Sequence, residues 1–308
     1  MSNISVLFEG GSEKTQRKKK VTFYVICATL ALMLSLLLVL GVYGIASSLW
    51  ANAKANQKIS IGTTKTVTLS SEDIYSGDLL LLDATHPLAE PAQVVLMSTN
   101  RPKTETGSSI YSLLGTTSLS LRADVLKQFN AMAEDFYKQT KDDNLLVYNA
   151  YDATKSSQAA IYESGTALSL GYYGAPVDEE YPKNDSIYGV EVYSWLYDNC
   201  YKYGFVVLNS EAETDNDGNS LGSSVFRYVG IPHATAIAEK KLSFERYLEY
   251  LKENTSARAP LSIGTSTSQY AVYYISARGT HTVPSKYEYT VSGNNADGYI
   301  VTVKIPRK

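Results

Sequence analysis

The chain has 308 residues and a formal net charge of −3, a balance that points away from a nucleic-acid partner held by bulk positive charge. Its two cysteines, Cys27 and Cys200, lie far apart and the first sits in an apolar run, so they form no disulfide within a domain. Tyrosine (25 residues) far outnumbers phenylalanine (7), which suits half-wet surfaces and sugar or peptide contacts as well as ordinary strand packing.

Residues 1–20 end in the basic cluster Arg17–Lys20 and read as a cytoplasmic tail. From Val21 to Trp50 no residue is charged, and the stretch exceeds the roughly 20 apolar residues a bilayer crossing needs. A cleaved signal peptide usually has an apolar core of only about 7–15 residues. The expectation is therefore an uncleaved transmembrane helix over 21–50, with the N-terminus in the cytoplasm and the C-terminal part in the extracytoplasmic space. Tyr43 and Trp50 lie where an aromatic belt belongs.

Residues 51–64 read as a linker. Lys65–Leu69 alternates like a strand, and Leu79–Leu82 is a buried run. A helix is predicted over Leu121–Lys141, capped by Ser120, with Leu121, Val125, Phe129, Met132 and Phe136 on one face. A second covers Val190–Tyr203 and stops at Gly204, and a third covers Phe244–Glu253 with Ser243 as cap. Cys200, on an apolar helix face, reads as core. Three strands follow at Tyr270–Ile275, Lys286–Val291 and Tyr299–Ile305, with a turn over Ser292–Gly298. Helices and strands in separate blocks predict an α+β fold. The segment Glu213–Asn219 has the look of a calcium loop, but Ser224 stands where the bidentate glutamate belongs, and it reads as a solvated turn.

Several segments in shared order resemble the VanY-type D-alanyl-D-alanine carboxypeptidases. These are Asp78–Pro87, Leu121–Thr140, Asn144–Tyr151, Glu163–Leu170, Trp195–Phe205, Phe226–His233 and the terminal Gly293–Tyr299. The resemblance implies a carboxypeptidase-like domain over 65–256 and a C-terminal extension of antiparallel strands over 257–308. It also implies a wall-facing protein of a Gram-positive bacterium. Such enzymes trim the last alanine from cell-wall stem peptides.

The same resemblance implies zinc, held by a histidine and an aspartate in a His-x-x-Gly-x-Ala-x-Asp motif. A second histidine follows the general-base glutamate in Glu-x-x-His, just before an aromatic-Arg-Tyr. Zinc needs such donors and one open position to lower the pKa of its bound water. In this chain Gly165, Ala167, Arg227 and Tyr228 match, but Tyr162, Ser169, Gly222 and Val225 stand where the resemblance implies histidine, aspartate, glutamate and histidine. The family's Gly-Tyr-Arg-Ser, with a glutamine following, corresponds to Ala150, Tyr151, Asp152 and Ala153, with Gln158. There an anion replaces the substrate-holding arginine and would repel a terminal carboxylate.

The expectation is thus no metal, no cofactor and no catalytic residue. Candidate cleft residues are Tyr151, Asp152, Gln158, Tyr162, Ser169, Arg227 and Tyr228. Tyr172 and Tyr173 are expected to join Tyr151 and Tyr162 either as a plug or as a ligand-stacking floor. His86, His233 and His281 are read as non-ligands. Three readings stay open: a silent pseudoenzyme binding cell-wall peptide or a protein partner, an active D,D-carboxypeptidase, and a structural protein-binding module at the membrane.

Overall fold

The structure, a computed structural model, describes residues 21–27, 29, 59–114, 118–155, 158–172, 187, 190–208 and 225–306. The chain divides into two compact units, Met1–Gln57 and Lys58–Lys308. In the first, residues 21–27 are helical. The rest of the expected 21–50 span, and the Arg17–Lys20 cluster, lie outside the described residues. No helix among the described residues is long and apolar enough to cross a membrane.

The second unit mixes helices with mainly antiparallel sheets. Its central sheet has the order β3-β5-β7-β9-β8. The strands are β3 (Tyr111–Leu113), β5 (Leu145–Asn149), β7 (Ala167–Tyr172), β8 (Phe205–Val207) and β9 (Val225–Tyr228). Only the β3–β5 pair in it is parallel. Helix α1 (Ala123–Thr140) covers one face, burying Val125, Phe129, Met132 and Phe136 as the spacing requires. Leu168 and Leu170 of β7 point into this core.

The helix begins two residues later than Ser120 would have it. Leu119–Leu121 is drawn into a small sheet as β4, between β2 (Val95–Leu96) and β6 (Tyr151–Asp152). Ser120 therefore pairs with Tyr151 and turns its hydroxyl to the Ser118 carbonyl. The cap residue is Arg122, whose guanidinium bonds Asp124 and Asp78.

The other face of the central sheet meets helix α4 (Ile231–Lys240), helix α5 (Phe244–Asn254) and a second sheet. That sheet has the order β10-β11-β14-β13, all antiparallel: β10 (Leu261–Gly264), β11 (Gln269–Ser276), β13 (Tyr289–Gly293) and β14 (Gly298–Ile305). The separate pair β1 (Thr64–Val67) and β12 (His281–Pro284) completes the strands among the described residues. Ala167 and Val225 share one core with Tyr247, Leu251, Val272 and Ile300, so the C-terminal strands pack directly against the motif-bearing part of the chain.

Ser243 caps α5 by accepting the Arg246 N–H, as its position predicts. The predicted helix over Val190–Tyr203 is broken into a 3-10 turn (Glu191–Tyr193), helix α3 (Ser194–Asn199) and a second 3-10 turn (Cys200–Tyr203). Gly204 ends it at φ 87, where a Cβ would lie 2.6 Å from the Tyr228 ring. The thiol of Cys200 is buried, which pushes it up to about 12. In the turn between β13 and β14, Asn294 Oδ1 accepts the N–H groups of Ala296, Asp297 and Gly298. Asn295 Nδ2 donates to the carbonyls of Leu81, His86 and Pro87, tying this turn to the buried Leu79–Leu82 run.

His233 of α4 is buried between the Tyr247 hydroxyl (2.9 Å) and the Thr302 hydroxyl (2.8 Å). Burial lowers its pKa to about 3, so the folded ring stays neutral. The unfolded chain takes up a proton near pH 6.5 that the folded chain refuses. Stability is therefore full above about pH 6.5 and falls as pH drops toward 3, by roughly 1.4 kcal/mol per unit. Urea melts at pH 7 and pH 5 are expected to differ by about 2 kcal/mol more in the unaltered chain than in His233→Gln, which has no such proton to take up.

Candidate functional site

Helix α2 (Ala160–Glu163) leads through a tight turn into β7. Gly165 sits in that turn at φ 63, and a Cβ there would lie 2.8 Å from Val94 and 3.2 Å from the Arg122 nitrogen. Its own carbonyl accepts the Arg122 N–H. The glycine common to this chain and the family motif is thus required by backbone conformation and by close packing.

Beyond the turn the strand alternates. Ala167 and Ser169 face away from α1, while Leu168 and Leu170 face it. Across the ladder Val225 is the partner of Ser169, and Arg227 is the partner of Ala167. Tyr162 reaches over from α2 and its hydroxyl lies 2.7 Å from Ser169 Oγ. Three positions at which the resemblance implies metal ligands therefore converge. They are closed to solvent, with exposures of 5% for Tyr162, 1% for Ser169 and 0% for Val225. The fourth, Gly222, lies outside the described residues.

The side chains at this point offer a phenol, a primary hydroxyl and an apolar isopropyl group. Zinc is held by thiolate, imidazole or carboxylate groups, and none is present at the three positions. The residues do not fit the metal. Each histidine is engaged elsewhere. His86 Nδ1 lies 2.9 Å from Asp83, which also accepts from Thr85. His233 is held by Tyr247 and Thr302 as described. His281 Nδ1 accepts the Leu69 N–H at 3.1 Å. Among the described residues no three His, Cys, Asp or Glu side chains gather as a metal-binding group.

The remaining candidates divide. Asp152 and Gln158 come together, but to lock a turn. Gln158 Oε1 accepts the Asp152 N–H and its Nε2 donates to the Asp152 carbonyl, both at 2.8 Å. The Asp152 side chain is buried, which raises its pKa, but bonds from the Thr154 hydroxyl and N–H outweigh that and hold it below the usual carboxylate range. Tyr151 is half-buried on β6.

Arg227 is 2% exposed, donating to the Leu80 carbonyl with its guanidinium 4.2 Å above the Phe244 ring. Tyr228, one residue on, faces the opposite core and meets Phe205 edge to face. Tyr172 likewise turns away, stacking on Tyr193 at 5.6 Å. The expectation that it lines a cleft with Tyr162 fails because Tyr172 lies three residues along β7 from Ser169, the contact of Tyr162, and strand residues three apart point to opposite faces. Tyr173 lies outside the described residues. Leu80 and Leu82, from the run that the sequence marks as buried, pack with Leu88 over Ala160 of α2.

No family model matches the sequence. The chain is 27% identical over 254 residues to a D-alanyl-D-alanine carboxypeptidase of Enterococcus faecium, spanning 78% of this chain and 79% of the relative. It is 33% identical over 116 residues to a D-alanyl-D-alanine carboxypeptidase of Enterococcus faecalis, spanning 36% of this chain and 42% of that one. Among solved structures, the vancomycin-resistance D,D-dipeptidase VanXYg, in complex with a D-Ala-D-Ala phosphinate analogue, superposes with a TM-score of 0.60 at 21% identity. The match covers 79% of this chain and all of that one, and it shows a common fold. Over most of its length this chain is thus similar in sequence to a D-alanyl-D-alanine carboxypeptidase, and it shares the fold of a D,D-dipeptidase.

Proposed function

We propose that the chain is an anchored, catalytically silent carboxypeptidase-like protein that faces the cell wall and acts by binding. One observation carries the reading: the buried hydrogen bond between Tyr162 and Ser169, with Val225 across the strand. Where a hydrolase of this family would hold an ion and a water, this chain has a closed contact. Without a metal or a general base there is nothing to activate water or to polarise a scissile carbonyl.

The burial of all three side chains supports a plug over a stacking floor at that point, so ligand contacts fall on the surrounding surface. The solved relative holds a D-Ala-D-Ala analogue, which makes a wall stem peptide one candidate partner and an extracytoplasmic protein the other. The uncharged run 21–50 and the preceding basic cluster supply the anchor and its orientation.

The test uses the full chain in detergent, supplied with zinc and a pentapeptide ending in D-Ala-D-Ala. The expected result is release of D-alanine no faster than in buffer. Zinc-dependent turnover would restore the active-enzyme reading. Cell fractionation tests the anchor: the chain is expected intact in the membrane fraction, and recovery of a soluble form beginning near Ser48 would contradict it.

A further inference from the structure

A cleft of about 570 Å³ opens on the second unit, and Tyr162, Ser169 and Val225 are not part of its lining. Its volume is in the range of small-ligand sites. Its lining is mixed in a particular way. Tyr75 is 50% exposed beside the opening, although it is a large aromatic side chain. Around it stand the carboxylates of Glu72, Asp78 and Glu90 and the Arg122 guanidinium, over the buried, mutually bonded hydroxyls of Ser164 and Thr166.

We infer that this cleft is a carbohydrate-binding site for a non-anionic glycan of one to three sugar rings. A sugar ring has one face of C–H groups and a rim of hydroxyls that both donate and accept. An exposed tyrosine offers a flat apolar surface to the first and a polar tip to the second. Planar carboxylates and guanidiniums engage neighbouring hydroxyls in pairs. Glu72 and Glu90 have no ion-pair partner among the described residues and remain available as acceptors. Arg122 is already compensated by Asp78 and Asp124. With Asp73 and the buried Arg227 also in its lining, the cleft holds four carboxylates against two guanidiniums, a balance that disfavours phosphate- or uronate-bearing polymers.

The rim is also pre-formed. Tyr75 belongs to a 3-10 turn, Asp73–Tyr75, braced from three sides by the C-terminal strands. Tyr299 donates its hydroxyl proton to the Ser70 carbonyl, Asn295 N–H donates to Ile74, and Gly293 N–H donates to Ser76. Gly293 is needed for that contact, since a Cβ there would lie 2.0 Å from the Ile74 oxygen. A rigid rim loses little entropy on binding.

The inference rests on the wall-facing reading but not on catalytic silence. A chain that proved to be an active enzyme could still bind sugar here. The test titrates the full chain, in a detergent without a sugar headgroup, with chitotriose and cellotriose, followed by saturation-transfer NMR and calorimetry. Saturable binding of at least one is expected. Tyr75→Ala, which removes a half-exposed side chain and leaves the melting temperature in place, is expected to weaken it by about tenfold or more. Tyr162→Phe is expected to leave it unchanged, and hyaluronan fragments are expected not to compete. Absence of binding to both trisaccharides, or unaltered affinity in Tyr75→Ala, would overturn the inference.

Discussion

A chain carrying Tyr162→His, Ser169→Asp and Val225→His together is expected to bind about one zinc ion, where the unaltered chain binds none. The reason is geometric. Tyr162 and Ser169 already touch at 2.7 Å, and Val225 is the cross-strand partner of Ser169, so three new donors would converge on one point. A site of this kind reaches micromolar affinity or tighter, roughly 8 kcal/mol. Zinc would then raise the melting temperature of the triple variant, because a ligand that binds only the folded chain stabilises it. Before metal is added the variant will be less stable than the unaltered chain, since three polar or charged groups replace a satisfied, closed contact. Zinc that raises the melting temperature of the unaltered chain equally, or of neither, would show that the three positions are not the emptied ligand set.

The second large effect concerns Arg227. Its side chain is almost fully buried, bonded to the Leu80 carbonyl and stacked on Phe244. Arg227→Ala removes that stacking, opens a cavity under Phe244 and strands the Leu80 carbonyl in a dry site. The expected loss is about 3–5 kcal/mol, large against a typical stability of roughly 5–15 kcal/mol. Arg227→Lys keeps a charge but not the flat fork, and is expected to cost about half as much. Chemical denaturation of both variants checks this. A loss below about 1 kcal/mol in Arg227→Ala would mean that the arginine is not a pillar of the fold. An arginine shared with the family's motif is here best accounted for by packing, because its bonds run to the Leu79–Leu82 run and to α5.

The two effects divide the legible from the illegible. Helix α1 and the Ser243 cap of α5 could be read directly, because each depends on residues three or four apart in sequence. The Ser120 cap could not, because β4 forms only when β2 and β6 are there to pair with it. Helix α4, the five strands of the central sheet and strands β10 and β12 also escaped. Short elements with small residues, such as Ala234 and Ala236, carry little periodic signal and form against neighbours distant in sequence.

At the site, the residue types that rule out zinc donors at 162, 169 and 225 stand in the sequence. Their mutual contact does not, since it needs the α2 turn at Gly165 and the register of β7 with β9. The position of Tyr172 is legible from the strand's period of two, which puts it on the face opposite Ser169. The cleft beside Tyr75 left no motif, because its lining comes from five separate stretches between Ser70 and Arg227.

The most direct test of a silent site is the zinc content of the unaltered full chain, purified without chelator and dialysed against a slight excess of zinc. Elemental analysis is expected to find zinc no higher than in the dialysis buffer. A stoichiometry near one zinc per chain, retained on gel filtration, would contradict the reading of Tyr162, Ser169 and Val225 as a closed, metal-free contact.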